Sequence, residues 1–301
     1  MNVKPPLVSV LVPAYRAARF ISETLESLAR QTCSDWELVV LEDGRFDDTA
    51  DIVKSFAARQ PQQVRLLQNQ SNQGVGAARN RLLESAAGDF IAFLDADDLW
   101  KPAHLQTALD LLESTKTDWH IGALDLIDLA GNVFATNILP PVTSLEALPD
   151  ALLRHNFILT SSTVFKRAVF AQNLRFDPGL SIGEDLDLCI ELARRGHHPC
   201  YGTEATLCYR KHPSSITADS LRFAEKFSLV FEKHLGDPLV NQANCRRLLR
   251  DLLFVIVRMT WRREPARARA ALARLSRAGP LTLRCHAYRI LLRFAEWRLT
   301  Q

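Results

Sequence analysis

What this 301-residue chain lacks already narrows its class. Its six cysteines (Cys33, Cys189, Cys200, Cys208, Cys245 and Cys285) make no CxxC pair and no zinc-ligand spacing. No secretory leader is expected, because Met1–Pro6 runs straight into the strand-like Leu7–Val12. Scattered thiols without a leader predict a reduced, cytoplasmic protein. The longest purely apolar run near the tail, Leu252–Val257, falls far short of the ~20 residues that a membrane-spanning helix needs, so no crossing is expected. Residues 241–301 contain no lysine, yet they carry fourteen arginines against Asp251, Glu264 and Glu296. That segment is therefore +11, which leaves −8 on residues 1–240 of a chain whose total is +3. An acidic body with an Arg-rich tail implies two jobs, and the tail's partners are expected to be anionic. Regularly interleaved aromatics and recognition-helix or zinc motifs are missing from the tail, so nucleic acid is not the expected partner. Internal repeats and low-complexity tracts are also absent.

The first half instead alternates short β-rich runs with helical patterns. Leu7–Val12, Trp36–Leu41, Val64–Leu67 and Phe90–Leu94 read as strands. Ala18–Arg30, Asp47–Arg59, Gly76–Ala87 and Pro102–Ser114 read as the helices between and after them. Apolar strands alternating with helices predict an α/β fold with a mainly parallel sheet covered on both faces. Ligands of such sheets sit at the carboxyl ends of the strands. After residue 118 the pattern changes to a hairpin, Trp119–Ile127 with Asn132–Asn137, then a strand-like run at Thr160–Phe165. A helix over Glu184–Arg195 and a strand over Cys200–Arg210 follow. From about Asp219 onward the chain reads as helical, interrupted near Gly236–Pro238, Pro265 and Gly279–Pro280.

The sharpest chemical signal is Asp95-Ala96-Asp97-Asp98, directly after an apolar strand. Two carboxylates two residues apart at a strand end can share one Mg²⁺ or Mn²⁺ whose other ligands are water and a diphosphate. The plainer alternative is a turn in which Asp98 caps the next helix. In Asn72 to Asn80, Gly74 and Gly76 precede Arg79, which stands where a dinucleotide loop would have its third glycine. An arginine in a first helical turn beside glycine backbone suits a phosphate or ribose, or else simply faces solvent. Glu42-Asp43-Gly44 ends the second strand. A carboxylate there can accept the N3–H of a uracil ring, or merely close a turn. Gly183-Glu184-Asp185 starts a helix, where acids also serve the helix dipole. Tyr209-Arg210-Lys211-His212-Pro213 reads as a cationic loop whose histidine could meet phosphate or metal.

Taken in order, these pieces resemble the family 2 glycosyltransferases of the GT-A fold, over about Val8 to Ile216. The pieces are Val8 to Tyr15, Glu42-Asp43-Gly44, Asn72 to Asn80, Asp95 to Trp100, Gly183-Glu184-Asp185 and Tyr209 to His212. The resemblance implies a Rossmann-like sheet with a C-terminal helical extension. It also implies a nucleoside pocket at Pro13, Tyr15 and Asp43, with Arg79 and Asp95 helping to hold the nucleotide. Asp97 and Asp95, joined by His212, would serve a Mg²⁺ or Mn²⁺ ion. Asp185 would be the general base of an inverting displacement, with Glu184 as its substitute. Arg45-Phe46 departs from the family, where Ser-Thr is common. The QxxRW pattern typical of processive synthases is absent, so one sugar per encounter is expected.

The implied partners are a nucleotide-sugar donor, most simply a UDP-sugar, and a glycan or lipid-linked acceptor. The implied setting is cell-surface glycan or polysaccharide synthesis. The implied layout is a catalytic domain over residues 1–218, with donor binding in 1–117 and acceptor binding in 118–218, then a basic helical region over 219–301. That basic region could touch an anionic membrane at the inner face of the cell membrane, or pack on protein, a twin subunit included. Within it, Leu249, Leu252, Leu253 and Ile256 form one apolar helical face, and Leu283, Ile290, Leu291, Phe294 and Trp297 supply a second apolar set. Two other functions share parts of this pattern. A sugar nucleotidyltransferase would need a Gly-rich, basic loop after the first strand, where this chain has Pro13-Ala14-Tyr15-Arg16. A non-catalytic nucleotide-binding or basic-tail interaction protein would have no need of acids at all three strand and helix ends.

Overall fold

The computed structural model describes residues 5–44, 47–139, 158–213, 215 and 218–299, with backbone only for 293–299. Arg45 and Phe46 lie outside the described residues. The chain forms two compact units, Met1–Glu146 with Phe157–His212, and Ala147–Asn156 with Pro213–Gln301.

The first unit starts with β1 (Val8–Ala14), α1 (Ile21–Ala29), β2 (Trp36–Asp43), α2 (Thr49–Ala57) and β3 (Val64–Asn69). Next come α3 (Val75–Ser85), β4 (Phe90–Phe93), β5 (Leu99–Trp100), α4 (His104–Thr115), β6 (Trp119–Ile127) and β7 (Val133–Ile138). It closes with β8 (Thr163–Lys166), α5 (Glu184–Arg194) and β9 (Pro199–Arg210). The strands make one nine-stranded sheet in the order β3-β2-β1-β4-β8-β6-β9-β5, with β7 paired to β6. β3, β2, β1 and β4 are all parallel. β8 then runs antiparallel to both β4 and β6, while β9 returns parallel to β6. The change of sequence pattern after residue 118 marks this switch from a helix-covered parallel half to a mixed half.

Chemistry explains the parallel half. β1 is nearly continuous in apolar residues and buried along its length, as a strand covered on both faces must be. Ile21, Leu25 and Leu28 recur at helical spacing on α1 and are all fully buried, packing into the core with Val10, Val12, Leu38, Val40 and Leu105. Two glycines position the functional ends. Gly74 enters α3 with φ of 91° and Gly183 enters α5 with φ of 85°, backbone conformations that residues with a Cβ rarely adopt.

The described part of the second unit is helical: α6 (Ser220–Lys233), α7 (Gln242–Thr260), α8 (Pro265–Ala278) and α9 (Leu283–Leu299). The breaks fall at the glycines and prolines that the sequence marks. Asp219 caps α6 by accepting from the backbone N–H of Leu221 and Arg222, and Pro265 occupies the first turn of α8. Phe231, Leu249, Leu253, Ile256, Leu272 and Leu275 form its interior. Arg267 pairs with Glu225 at 2.6 Å and Arg274 with Glu232 at 2.7 Å across α6 and α8.

Candidate active site

The candidate residues all lie in the first unit, at the carboxyl ends of β1, β2 and β4, on α3, at the start of α5 and in the segment after β9. β4 delivers Asp95 just past its last residue. The Asp95 backbone N–H donates to Ser161 Oγ at 3.0 Å. Arg79, from the second turn of α3, then reaches across. Its Nη2 donates to Asp95 Oδ1 at 2.7 Å and its Nη1 to Glu184 Oε1 at 2.5 Å. The guanidinium also lies over the Phe176 ring, 5.5 Å from its centroid. Arg79 is only 3% exposed. Burial opposes its charge, but Asp95 and Glu184 more than offset that and hold its pKa above the usual value. From sequence, Arg79 suits a phosphate or ribose, or a solvated helix face. The structure commits both terminal nitrogens to carboxylates, leaving buried Nε without a hydrogen-bond partner among the described residues.

Asp97 sits on the other side of the same turn. Its Oδ2 lies 2.8 Å from His212 Nε2, and the His212 ring packs on Phe20 with centroids 5.1 Å apart. Burial, and next the neighbouring Asp95, raise the Asp97 carboxyl above the ordinary range, while His212 opposes the shift. Asp98 turns inward and is fully buried, its Oδ1 accepting the backbone N–H of Arg210 at 3.0 Å. Its pKa is pushed well up by burial and then by Asp97 and Asp95.

Arg210 is the feature that sequence reasoning missed. The sequence around it suggests a cationic loop, but β9 extends through it and it is fully buried. Its Nε donates to the Asp97 carbonyl at 2.9 Å, its Nη1 to the Leu129 carbonyl at 3.1 Å and its Nη2 to Glu23 at 2.7 Å. One side chain thus ties the Asp-rich turn to α1 and to the β6–β7 connection. The available signal was an arginine two residues before the motif histidine, which sequence alone could not tell from a solvated cation.

Asp185 stands at the second position of α5, half-buried, with Oδ1 accepting its neighbour Leu186 N–H at 2.7 Å. Burial, followed by the charge of Glu184, pushes its pKa up to about 7, with Arg79 pulling the other way. Glu184 is taken by Arg79, so the two acids of the Gly183-Glu184-Asp185 motif do different things.

At the far end of the row, β1 and β2 carry Pro13 opposite Leu41 and Ala14 opposite Glu42. Tyr15 is 46% exposed, with the Arg16 guanidinium 5.5 Å from its ring centroid. Asp43 is buried. It accepts from Asn69 Nδ2 at 2.6 Å and from the Gln73 and Gly74 backbone N–H groups, both at 2.9 Å. The Gln73 N–H is shared with the second carboxylate oxygen at 3.1 Å, so all of the carboxylate's about four lone-pair sites are engaged, and a ligand N–H would have to replace this longer arm. Asp43 therefore also holds the glycine loop that starts α3.

A divalent ion would find two adjacent protein donors here, Asp97 and His212. Among the described residues no cluster of three or more His, Cys, Asp or Glu side chains is set up to hold a metal. Two protein donors, with the rest from diphosphate and water, is a known way of binding Mg²⁺ or Mn²⁺, so the residues fit such an ion when donor is present.

Residues 9–173 match the family model described as Glycosyl transferase family 2. Among curated relatives, chondroitin synthase of Escherichia coli is 28% identical over 258 residues, covering 80% of this chain but only 36% of that protein. The putative teichuronic acid biosynthesis glycosyltransferase TuaG of Bacillus subtilis is 28% identical over 230 residues, covering 76% of this chain and 88% of that one. Among solved structures, S. aureus TarS 1-349 in complex with UDP-GlcNAc superposes with a TM-score of 0.67 at 22% identity, covering 96% of this chain and 87% of that one.

Proposed function

The chain belongs to glycosyl transferase family 2, and from that premise and the site's geometry we propose that it transfers one sugar from a UDP-sugar to an acceptor hydroxyl with inversion. The carrying observation is the Asp95–Arg79–Glu184 chain of ion pairs, which fixes the end of β4 beside the start of α5. Asp95 and Asp97 then face the donor while Asp185 faces the acceptor.

In this reading Pro13, Tyr15 and Asp43 hold the nucleoside. Asp95 serves the ribose. Asp97 and His212 would hold Mg²⁺ or Mn²⁺, which when bound supplies positive charge for the departing diphosphate. Arg79 acts one step back, as the residue that positions Asp95 and Glu184. Asp185 takes the proton of the acceptor hydroxyl as that oxygen attacks the anomeric carbon. A carboxyl raised to about 7 is a better proton acceptor than an ordinary one and is about half ionised at neutral pH. It remains too weak to deprotonate an alcohol beforehand, so it acts as charge builds in the transition state.

Residues 1–117 would supply the donor half and 118–218 the acceptor half. The named relatives support an acceptor in cell-surface glycan synthesis, a growing glycan or a lipid-linked sugar. The test is release of nucleoside diphosphate from a panel of UDP-, dTDP- and GDP-sugars, with Asp185→Asn as control. Release confined to UDP-sugars and absent from the variant is expected. Formation of nucleoside triphosphate and sugar 1-phosphate when pyrophosphate is added to the same donors would instead mean a nucleotidyltransferase, and no release with any donor would reject the enzymatic reading.

A further inference from the structure

In the second unit the structure separates two helices that sequence alone treats alike. On α7, Leu249, Leu253 and Ile256 point into the interior and are buried. α9 behaves differently. It turns Cys285 and Leu292 inward, and Tyr288 packs edge-on against Phe254 of α7 and Trp261 just after it, with centroids 5.7 and 5.9 Å apart. Its other face is left in water: Leu283 is 89% exposed, Ile290 56% and Leu291 39%. With Ala287, also exposed, these residues stand four, seven and eight positions along from Leu283, which places them on one side of the helix. Arg284 borders that stripe and His286 stands on its other margin. Phe294 and Trp297 lie outside the described side chains.

The surroundings are cationic. Arg258, Arg262, Arg284 and Arg289 are all exposed. The Arg262 guanidinium lies 4.7 Å from the centroid of Trp261, the ring on which α9 packs. Of the three acids in residues 241–301, Asp251 already faces Arg247 at 3.7 Å and Glu264 faces Arg267 at 2.6 Å.

We propose that α9 is a membrane-seating helix, lying flat in the headgroup region of an anionic lipid leaflet with Leu283, Ala287, Ile290 and Leu291 dipped toward the acyl chains. Charge selects this occupant. A second copy would bring the same arginines face to face, which repels. A nucleic acid would match the arginines but leave the leucine and isoleucine side chains in water. An anionic leaflet satisfies both features, apolar burial below and acidic headgroups around. Among the described residues no helix is long and apolar enough to cross a membrane, so the contact is interfacial. The seat does not depend on which sugar the first unit transfers.

The experiment is cosedimentation of the full chain with vesicles of phosphatidylcholine alone or of equal parts phosphatidylcholine and phosphatidylglycerol, at low and high salt. Binding to the anionic vesicles only, weakened by salt, is expected. Arg284→Gln should lower partitioning by about fivefold. Leu283→Ser with Ile290→Ser and Leu291→Ser should abolish it, with an unchanged melting temperature because these side chains are exposed. Leu239→Ser, at another exposed apolar residue of the same unit, should bind as wild type does. The seat is rejected by absence of vesicle binding, by equal binding to neutral vesicles, by a triple serine variant that still binds, or by equal loss with Leu239→Ser. Wild-type dimers that the triple variant dissolves, seen by light scattering, would overturn it in favour of a second copy.

Discussion

Arg79 Nη1 lies 2.5 Å from Glu184 Oε1, across 105 positions of sequence, and the pair is buried. Because Nη2 of the same arginine holds Asp95, one guanidinium from α3 sets the spacing between a strand end and a helix start. Arg79→Ala would leave Glu184 buried without its partner and the partly exposed Asp95 without its anchor. The expected loss is about 3–5 kcal/mol, the usual result of removing one partner from a buried pair. Arg79→Lys keeps the charge but cannot make both bonds, so it should fold and still lose at least about tenfold in kcat. Urea unfolding and turnover measured side by side check this. An alanine variant with an unchanged urea midpoint would show that the ion pairs do not order the site.

Asp185 and Glu184 are adjacent in sequence, but only Asp185 is free of the Arg79 pair. Asp185→Asn should cut kcat by about 10²–10⁴-fold while leaving UDP affinity within a few-fold, since a base that touches only acceptor adds nothing to donor binding. The Asp185 carboxyl is raised to about 7, and the base must be ionised, so kcat/KM should rise with pH through the neutral range and level off above it. Calorimetry with UDP and a pH profile of turnover provide the readings. Loss of UDP binding in step with activity would make Asp185 a donor ligand, and a profile flat from about pH 6 to 8 would remove it as the base.

The parallel half was legible in the sequence because each strand and helix there is specified by its own residues. β1 is apolar throughout, α1 repeats its apolar residues at helical spacing, and glycines or acids mark the junctions. The mixed half was less legible. The two-residue β5 is too short to carry a periodic signal, and its place beside β9 is a tertiary fact, Leu99 lying opposite Cys208. The candidate site divides in the same way. The acids at strand and helix ends stand out locally, but their partners do not, because Arg79 finds Glu184 and Arg210 finds Glu23 only through the fold. Charged residues look solvated in sequence unless something else says that they are buried. For the same reason the apolar residues of α7 and α9 read alike, although those of α7 face the interior and Leu283 faces water.

Asp97 and His212 share a contact of 2.8 Å, and in the proposed function this pair holds the ion that faces the donor diphosphate. UDP should therefore bind at least about tenfold more tightly with Mn²⁺ than with chelator, and Asp97→Asn should erase most of that difference. His212→Ala should give a smaller loss, because it leaves the carboxylate in place. Titration calorimetry over the three proteins, each with and without Mn²⁺, is the measurement. Equal UDP affinity in every sample would mean that the pair is a structural contact and that donor binds without metal.

His120 on β6 is the clearest buried group that the proposed chemistry does not use. It is 1% exposed, and neither ring nitrogen has a hydrogen-bond partner among the described residues. β9 presses on it through Gly202, where an added Cβ would lie 2.7 Å from Nε2. The titratable ring facing it is His104 of α4, with centroids 6.5 Å apart. Burial alone lowers the His120 pKa from 6.5 to about 4. Above 6.5 the ring is neutral in both folded and unfolded chains and has no effect on the balance. As pH falls from 6.5 to about 4, the unfolded chain takes up a proton that the folded one refuses, so stability is lost across that window, by about 3 kcal/mol in full. Other groups titrate too, with raised carboxylates such as Asp98 acting in the opposite direction, so the informative quantity is a difference. His120→Leu removes this proton without leaving a polar atom unpaired. Its stability relative to wild type should therefore grow on acidification from pH 7 to 5, by about 2 kcal/mol. Urea unfolding of both proteins at the two pH values decides it. A gap that stays constant would mean that His120 is hydrated or hydrogen-bonded in solution and titrates normally.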